Sequence, residues 1–284
     1  MKKILALVLA LVLCLSLTAA LADGITIAVP NDPTNEGRAL LLLQSNGFLT
    51  LKEGAGLEAT KLDIESTTVD MELIEVEASI LPEYKLNKDV DYVIINNNFA
   101  MQAGLNPVTD SLLIEAADSP YVNVVCVKSG NEETDAAKAL TAAVTSQQVA
   151  DYIGEKYNGS AVATIENPTD GYDASVDYEA LAGTTISIAA TPVPHVEILK
   201  DVVAPILAEK GITLEVVEVT DYVTPNTLVD TGDVFANYFA HQPYQDSFNA
   251  ENNTNLVTIA GVHVEPMALY GGSQETLDAL QAVK

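Results

Sequence analysis

The 284-residue sequence predicts an α/β protein of two similar lobes with a ligand cleft between them. Three observations carry that expectation. Val, Ile, Leu and Ala are plentiful, aromatics are only 6% of residues and Trp is absent. Such a composition favours packed strands and helices over disorder. Short β-branched runs alternate with stretches whose apolar residues recur at helical spacing. One pattern also occurs twice: GITIAVPNDPTNEGRALLL and TTISIAATPVPHVEILKDV both read strand, Pro-bearing loop, helix.

Taken in order, residues 1–22 read as an export signal. Lys2 and Lys3 form a basic start, Ile4 to Leu17 an apolar run too short for a confident membrane span, and Ala20-Leu21-Ala22 a small-x-small cleavage site. Cleavage there leaves 11 basic against 40 acidic residues, a net charge of −29. Such a surface repels nucleic acid. Cys126 is then the one remaining cysteine, so no intrachain disulfide is expected, and its apolar run VNVVCVK makes it a buried core thiol.

Residues 25–29 (ITIAV) read as a strand. Asn31-Asp32-Pro33 is turn chemistry, and 36–45 reads as a helix closed by Gly47. Residues 71–76, 92–95 and 122–128 are further strands, and 134–144 and 147–157 are helices ending at Asn158-Gly159. The acidic, Ser/Thr-bearing stretch 161–183, with the turn signal Asn167-Pro168-Thr169-Asp170-Gly171, reads as a linker. Beyond it come a strand at 185–189, a helix at 196–209, a strand at 213–219, a short apolar segment at 233–238, and strands at 257–259 and 267–270. The expected units are 23–160 and 184–284. DYVIINNNFA and DVFANYFAHQ both end a strand in polar and aromatic residues, where open α/β sheets bind ligands.

Three groups could carry chemistry. Arg38, with Asn35, lies at a predicted helix start, where N–H groups and a guanidinium fork suit a carboxylate; a salt bridge to a neighbouring acid explains it as well. Asn96 and Asn98 follow a strand end and can meet either end of a zwitterion, or form a simple turn. Asn123, inside a β-branched run, needs a partner if buried, whether backbone or ligand. Tyr222, Phe239, His241 and Tyr244 could wall a slot for a thioether or could be plain core. His195, His241 and His263 lack a close grouping such as HExxH, so no metal is expected. No GxSxG, Walker A or paired-Cys motif occurs, and neither catalysis nor a cofactor is expected.

Several strings resemble the methionine-binding lipoproteins, the NlpA family. They are VPNDPTNEGRALLLL (29–43), MQAGLNP (101–107), DSPYVNV (118–124), TPVPHVEIL (191–199), TDYVTPN (220–226) and VHVEPMALY (262–270). The resemblance covers nearly all of the exported chain but in swapped order: 24–160 match the family's second half and 184–284 its first. It implies a circularly permuted, two-lobe periplasmic-binding-protein-like fold. It implies a substrate-binding protein of an ABC importer, outside the cytoplasm, with L-methionine or a related small amino acid as ligand and a permease and ATPase as partners. Arg38, Asn96 and Asn123 would hold the head group, with Asn35 and Asn98 beside them, and Tyr222, Phe239, His241 and Tyr244 the side chain. The family's lipidated Cys would stand at Ala20, and Cys14 follows a large Leu13, so the resemblance leaves lipid anchoring open. It also implies that Asp23 and Lys284 end near each other.

Overall fold

The computed structural model describes residues 24–116 and 119–281. The expected export segment with Cys14 and Ala20, and the end residues Asp23 and Lys284, lie outside the described residues. Two mixed sheets form two lobes. In the first, β1 (Ile25–Pro30) lies between β4 (Met71–Val76) and β5 (Tyr92–Ile95), parallel to both. β13 (Ala268–Gly271) runs antiparallel to β5 and carries β6 (Leu113–Ile114) at the edge. β2 (Leu49–Leu51) and β3 (Ile64–Thr67) form a small ribbon. The second sheet is ordered β10 (Thr213–Glu218), β9 (Thr185–Ala190), β11 (Ala236–His241), β7 (Val122–Lys128), β12 (Leu256–Val264), β8 (Val162–Ala163).

Both sheets are covered on both faces, as their near-continuous apolar strands require. Ile27 and Val29 of β1 join one core with Tyr92 and Ile94, while Ala28 faces another with Val93 and Ile95. In β7, Val125 and Val127 enter the main core of the second lobe, and Val124 and Cys126 the opposite face. Cys126 is fully buried, which pushes its thiol up to about 12.

These sheets divide the chain differently from the expected units. β7 and the helices Asp135–Val144 and Gln147–Tyr157 belong with residues 185–264, and β13 belongs with β1 to β6. The reason is that β7 is apolar on both faces, and it finds two strand neighbours only between β11 and β12. Segment 161–183 is no free linker either. β8 pairs with β12, Ala161 and Val176 are buried, and Tyr172 and Tyr178 pack against the same core. The chain therefore crosses between lobes twice, between β6 and β7 and between β12 and β13.

Local departures have local causes. The first helix runs Pro33–Ser45, starting before Glu36, because Asp32 caps it and Pro33 fits its first turn. Gly37 is needed there: a Cβ would stand 2.2 Å from the Leu57 carbonyl oxygen. The expected 196–209 helix is preceded by a kink at the extended Val193, is wide-wound over Leu199–Val203 and is α-helical over Ala204–Ala208. Pro192, Pro194 and Pro205 remove donors along it. The short segment expected at 233–238 is β11, which continues to His241. No helix among the described residues is long and apolar enough to cross a membrane.

Candidate functional site

All nine residues singled out in the sequence line one cavity between the lobes. Arg38 and Asn35 come from the Pro33–Ser45 helix, one turn apart on one face. Asn96 follows β5 and precedes the helix Asn97–Gln102, whose first turn carries Asn98. Asn123 is on β7, Phe239 and His241 close β11, Tyr244 opens the helix Gln242–Asn252, and Tyr222 precedes the helix Thr224–Thr231. Asn97, Ala240 and Glu265 complete the wall, and the cavity they enclose is small, about 20 Å³.

The polar wall is only partly self-satisfied. Asn35 is a hub: its amide nitrogen donates to both Asp32 oxygens, and its Oδ1 accepts from Asn96 Nδ2 at 2.8 Å and lies 3.0 Å from His241 Nε2. It is structural, tying the lobes together. Asn98 Oδ1 accepts from the Tyr222 hydroxyl at 2.6 Å. That leaves Asn96 Oδ1, Asn97 Oδ1 and Asn98 Nδ2 buried with no hydrogen-bond partner. Buried unpaired amide atoms are costly, and two acceptors beside a donor suit a ligand bearing both kinds of group.

Arg38 makes the salt bridge that was the alternative to a ligand contact. Its Nε and Nη2 face Glu115, at 3.0 and 2.5 Å, and Nη2 also donates to the Glu265 carbonyl at 2.7 Å. Its guanidinium carbon sits 4.3 Å from the centre of the Tyr121 ring. The fork expected for a ligand carboxylate is thus committed to Glu115, and Nη1 alone has no hydrogen-bond partner among the described residues. Glu115 and Glu265 stand beside the two lobe crossings, so Arg38 pins both.

At the other end the aromatics form a slot. Tyr222 lies 5.9 Å, centre to centre, from both Phe239 and Tyr244, and 5.0 Å from Phe99. The Tyr244 hydroxyl donates to the Tyr222 carbonyl at 2.8 Å. His241 caps the helix Gln242–Asn252 by accepting the Tyr244 N–H at Nδ1, which places its proton on Nε2 toward Asn35. Burial, reinforced by the Arg38 charge, holds its pKa well below the ordinary imidazole value.

Behind the cavity the structure brings together two of the three histidines, which the sequence spacing did not foresee. Nitrogens of His195 and His263 and a carboxylate oxygen of Glu265 lie within 4.8 Å of one another, all buried. His195 also meets Asn123 Oδ1 at 3.0 Å. The sequence reading missed Glu265 as a lining residue. Its signal was a lone carboxylate in the apolar run VHVEPMALY, the same kind of anomaly that marked Asn123.

A family model described as NlpA lipoprotein matches residues 15–165 and 186–284. The D-methionine-binding lipoprotein MetQ of Salmonella typhimurium is 40% identical over 142 residues, covering 50% of this chain and 52% of that protein. Lipoprotein 28 of Escherichia coli is 42% identical over 144 residues, covering 51% and 53%. The chain thus spans about half the length of the curated relatives it matches. A solved nutrient binding protein from Burkholderia cenocepacia, bound to methionine, is 40% identical with a TM-score of 0.48, covering 51% of this chain and 61% of that one. With the family pattern found on both stretches, this chain belongs to the NlpA lipoprotein family.

Proposed function

We propose that the chain is an exported substrate-binding protein of an ABC importer. It holds methionine between its lobes and hands it to a membrane permease driven by an ATPase. It is not an enzyme: capture and release need only different affinities in open and closed states. The observation that carries this is the interlobe cavity, aromatic at one end and lined by unpartnered amides and Arg38 at the other. The MetQ relatives, named for D-methionine binding, support the ligand. The test is thermal denaturation with each enantiomer of methionine. A ligand at 100 times its Kd adds about 2.7 kcal/mol. No shift with either enantiomer, and a strong shift with another amino acid or a methionine-containing dipeptide, defeats the assignment.

A metal-binding import protein is the second reading, favoured by the His195–His263–Glu265 group. Calorimetric titration with zinc against methionine separates the two. Chain order is a further part of the proposal: the halves are circularly permuted. The family match in two blocks and half-length pairwise matches support this. So do the described ends, since Ile25 and Leu280 share one core and the Thr68 hydroxyl donates to the Leu280 carbonyl. A chain reordered as 184–284 followed by 24–183 keeps 161–183 on its lobe. It should fold and bind at least as tightly; failure to fold defeats the permutation reading.

A further inference from the structure

Glu265 lines the cavity yet is held from behind. It is 5% exposed and lies on the crossing from β12 to β13. Its Oε1 is 2.9 Å from His263 Nε2 and 3.2 Å from His195 Nε2. Each ring is braced in turn: the Tyr238 hydroxyl stands 2.6 Å from His263 Nδ1, and the Thr191 hydroxyl 2.8 Å from His195 Nδ1. An ionised carboxylate only accepts hydrogen bonds. His263 therefore turns Nε2–H toward Glu265 and accepts at Nδ1 from Tyr238, while His195 Nε2–H lies between its hydrogen-bond partner Asn123 Oδ1 at 3.0 Å and Glu265 Oε1 at 3.2 Å. Residues on or beside β9, β11 and β12 so fix a carboxylate that belongs to the crossing.

Its second oxygen, Oε2, has no hydrogen-bond partner among the described residues, and the residue faces the cavity. A buried carboxylate without a cation is costly. The nearest guanidinium, Arg38, contacts only the Glu265 backbone carbonyl and directs its fork to Glu115. The cavity wall thus carries one cation and one anion, the complement of a zwitterion.

We propose that Glu265 receives the α-ammonium group of the ligand, with His195 and His263 as positioning residues that aim its carboxylate. The inference rests on the amino-acid reading above and sharpens it. The ligand must carry a free α-ammonium beside its carboxylate. A methionine acylated on its nitrogen, including one at the C-terminus of a dipeptide, lacks that cation and leaves Oε2 unpaired.

The test compares L-methionine with 4-(methylthio)butanoate, which differs only in lacking the ammonium, and with N-acetyl-L-methionine, by calorimetry on the full chain. The unaltered protein should favour methionine over both by roughly 30-fold or more, as loss of a buried charge partner implies. In Glu265→Gln the preference should collapse to within about threefold as methionine weakens. In His263→Gln it should fall part-way, a change in ratio that simple loss of folded protein would not produce. Equal binding of methionine and its des-amino analogue by the unaltered protein overturns the inference, whatever the variants do. A full preference retained by Glu265→Gln also overturns it. If no amino acid binds the unaltered protein, the amino-acid reading itself falls, and the inference with it.

Discussion

Replacing Arg38 with alanine should cost both stability and binding, and the structure separates the two. The side chain is 4% exposed and Glu115 is 16% exposed. Removing the guanidinium strands the Glu115 carboxylate, the Glu265 carbonyl and the Tyr121 face together. Breaking a buried pair from one side costs about 3–5 kcal/mol. The partial exposure of Glu115 puts the expected loss near the lower figure, about 3 kcal/mol. For a chain of this size that lowers the melting temperature by roughly 6–12 °C. Removing both charges, in Arg38→Ala with Glu115→Ala, should cost less than Arg38→Ala alone, since no carboxylate is left uncompensated. Ligand affinity should fall in both, because Nη1 is gone in both. The assay is urea denaturation and calorimetry on the two variants. If the double variant is as unstable as the sum of its singles, the ion pair is not what holds the crossings. If Arg38→Ala binds methionine normally, Nη1 does not reach the ligand.

Two further predictions concern the scaffold. Burial holds the pKa values of His195 and His241 well below the ordinary value. The unfolded chain takes these protons near pH 6.5 while the fold refuses them. Their contribution is whole above that pH and declines below it, by about 1.4 kcal/mol per pH unit for each histidine. Glu36 opposes them: burial pushes it up to about 7, so its contribution is whole near pH 4 and is lost as pH rises through 7. His195→Gln should flatten the loss of stability between pH 6.5 and 5.5, measured by urea midpoints; an unchanged slope refutes the assignment. Gly37→Ala should destabilise by about 1–3 kcal/mol, because its Cβ meets the Leu57 carbonyl and loop 52–59 must shift. A neutral result in thermal melts would show that loop to be free to move.

The central strands β1, β5 and β7 were legible because they are apolar on both faces, and the Pro33–Ser45 helix because Asp32 and Pro33 announce its start, while the short edge strands β2, β3, β6 and β8 were not. The lobe boundary was not. Sequence shows that β7 needs neighbours on both faces but not which strands supply them, and β11 and β12 come more than a hundred residues later. The same limit hid the end of β11, since Phe239 to Tyr244 contains Pro243, which reads as a break but sits in the first turn of a helix. The cavity residues were legible as polar or aromatic groups at strand ends. Their partners were not: Glu115 is 77 residues from Arg38, and Glu265 is 70 residues from His195. Sequence marks a group that needs a partner; only the fold supplies it.

The charges at the lobe crossings link the cavity to the motion that a binding protein requires. Arg38 belongs to the first lobe, yet it holds Glu115 beside one crossing and the Glu265 carbonyl on the other. The Glu265 carboxylate in turn is gripped by His195 and His263 of the second lobe. Opening the lobes must strain one of these contacts, because a single crossing residue is tied to both sides. A ligand that pairs with Arg38 Nη1 and with Glu265 Oε2 would bridge the same two anchors through the cavity. It would then bind the closed arrangement better than any open one, which is the differential affinity a ligand needs to shift the equilibrium. An apolar molecule filling only the aromatic slot touches neither anchor and has no such preference. In the proposed binding cycle the polar end of the cavity is where recognition and closure coincide, and the slot is left to choose among the ligands that close it.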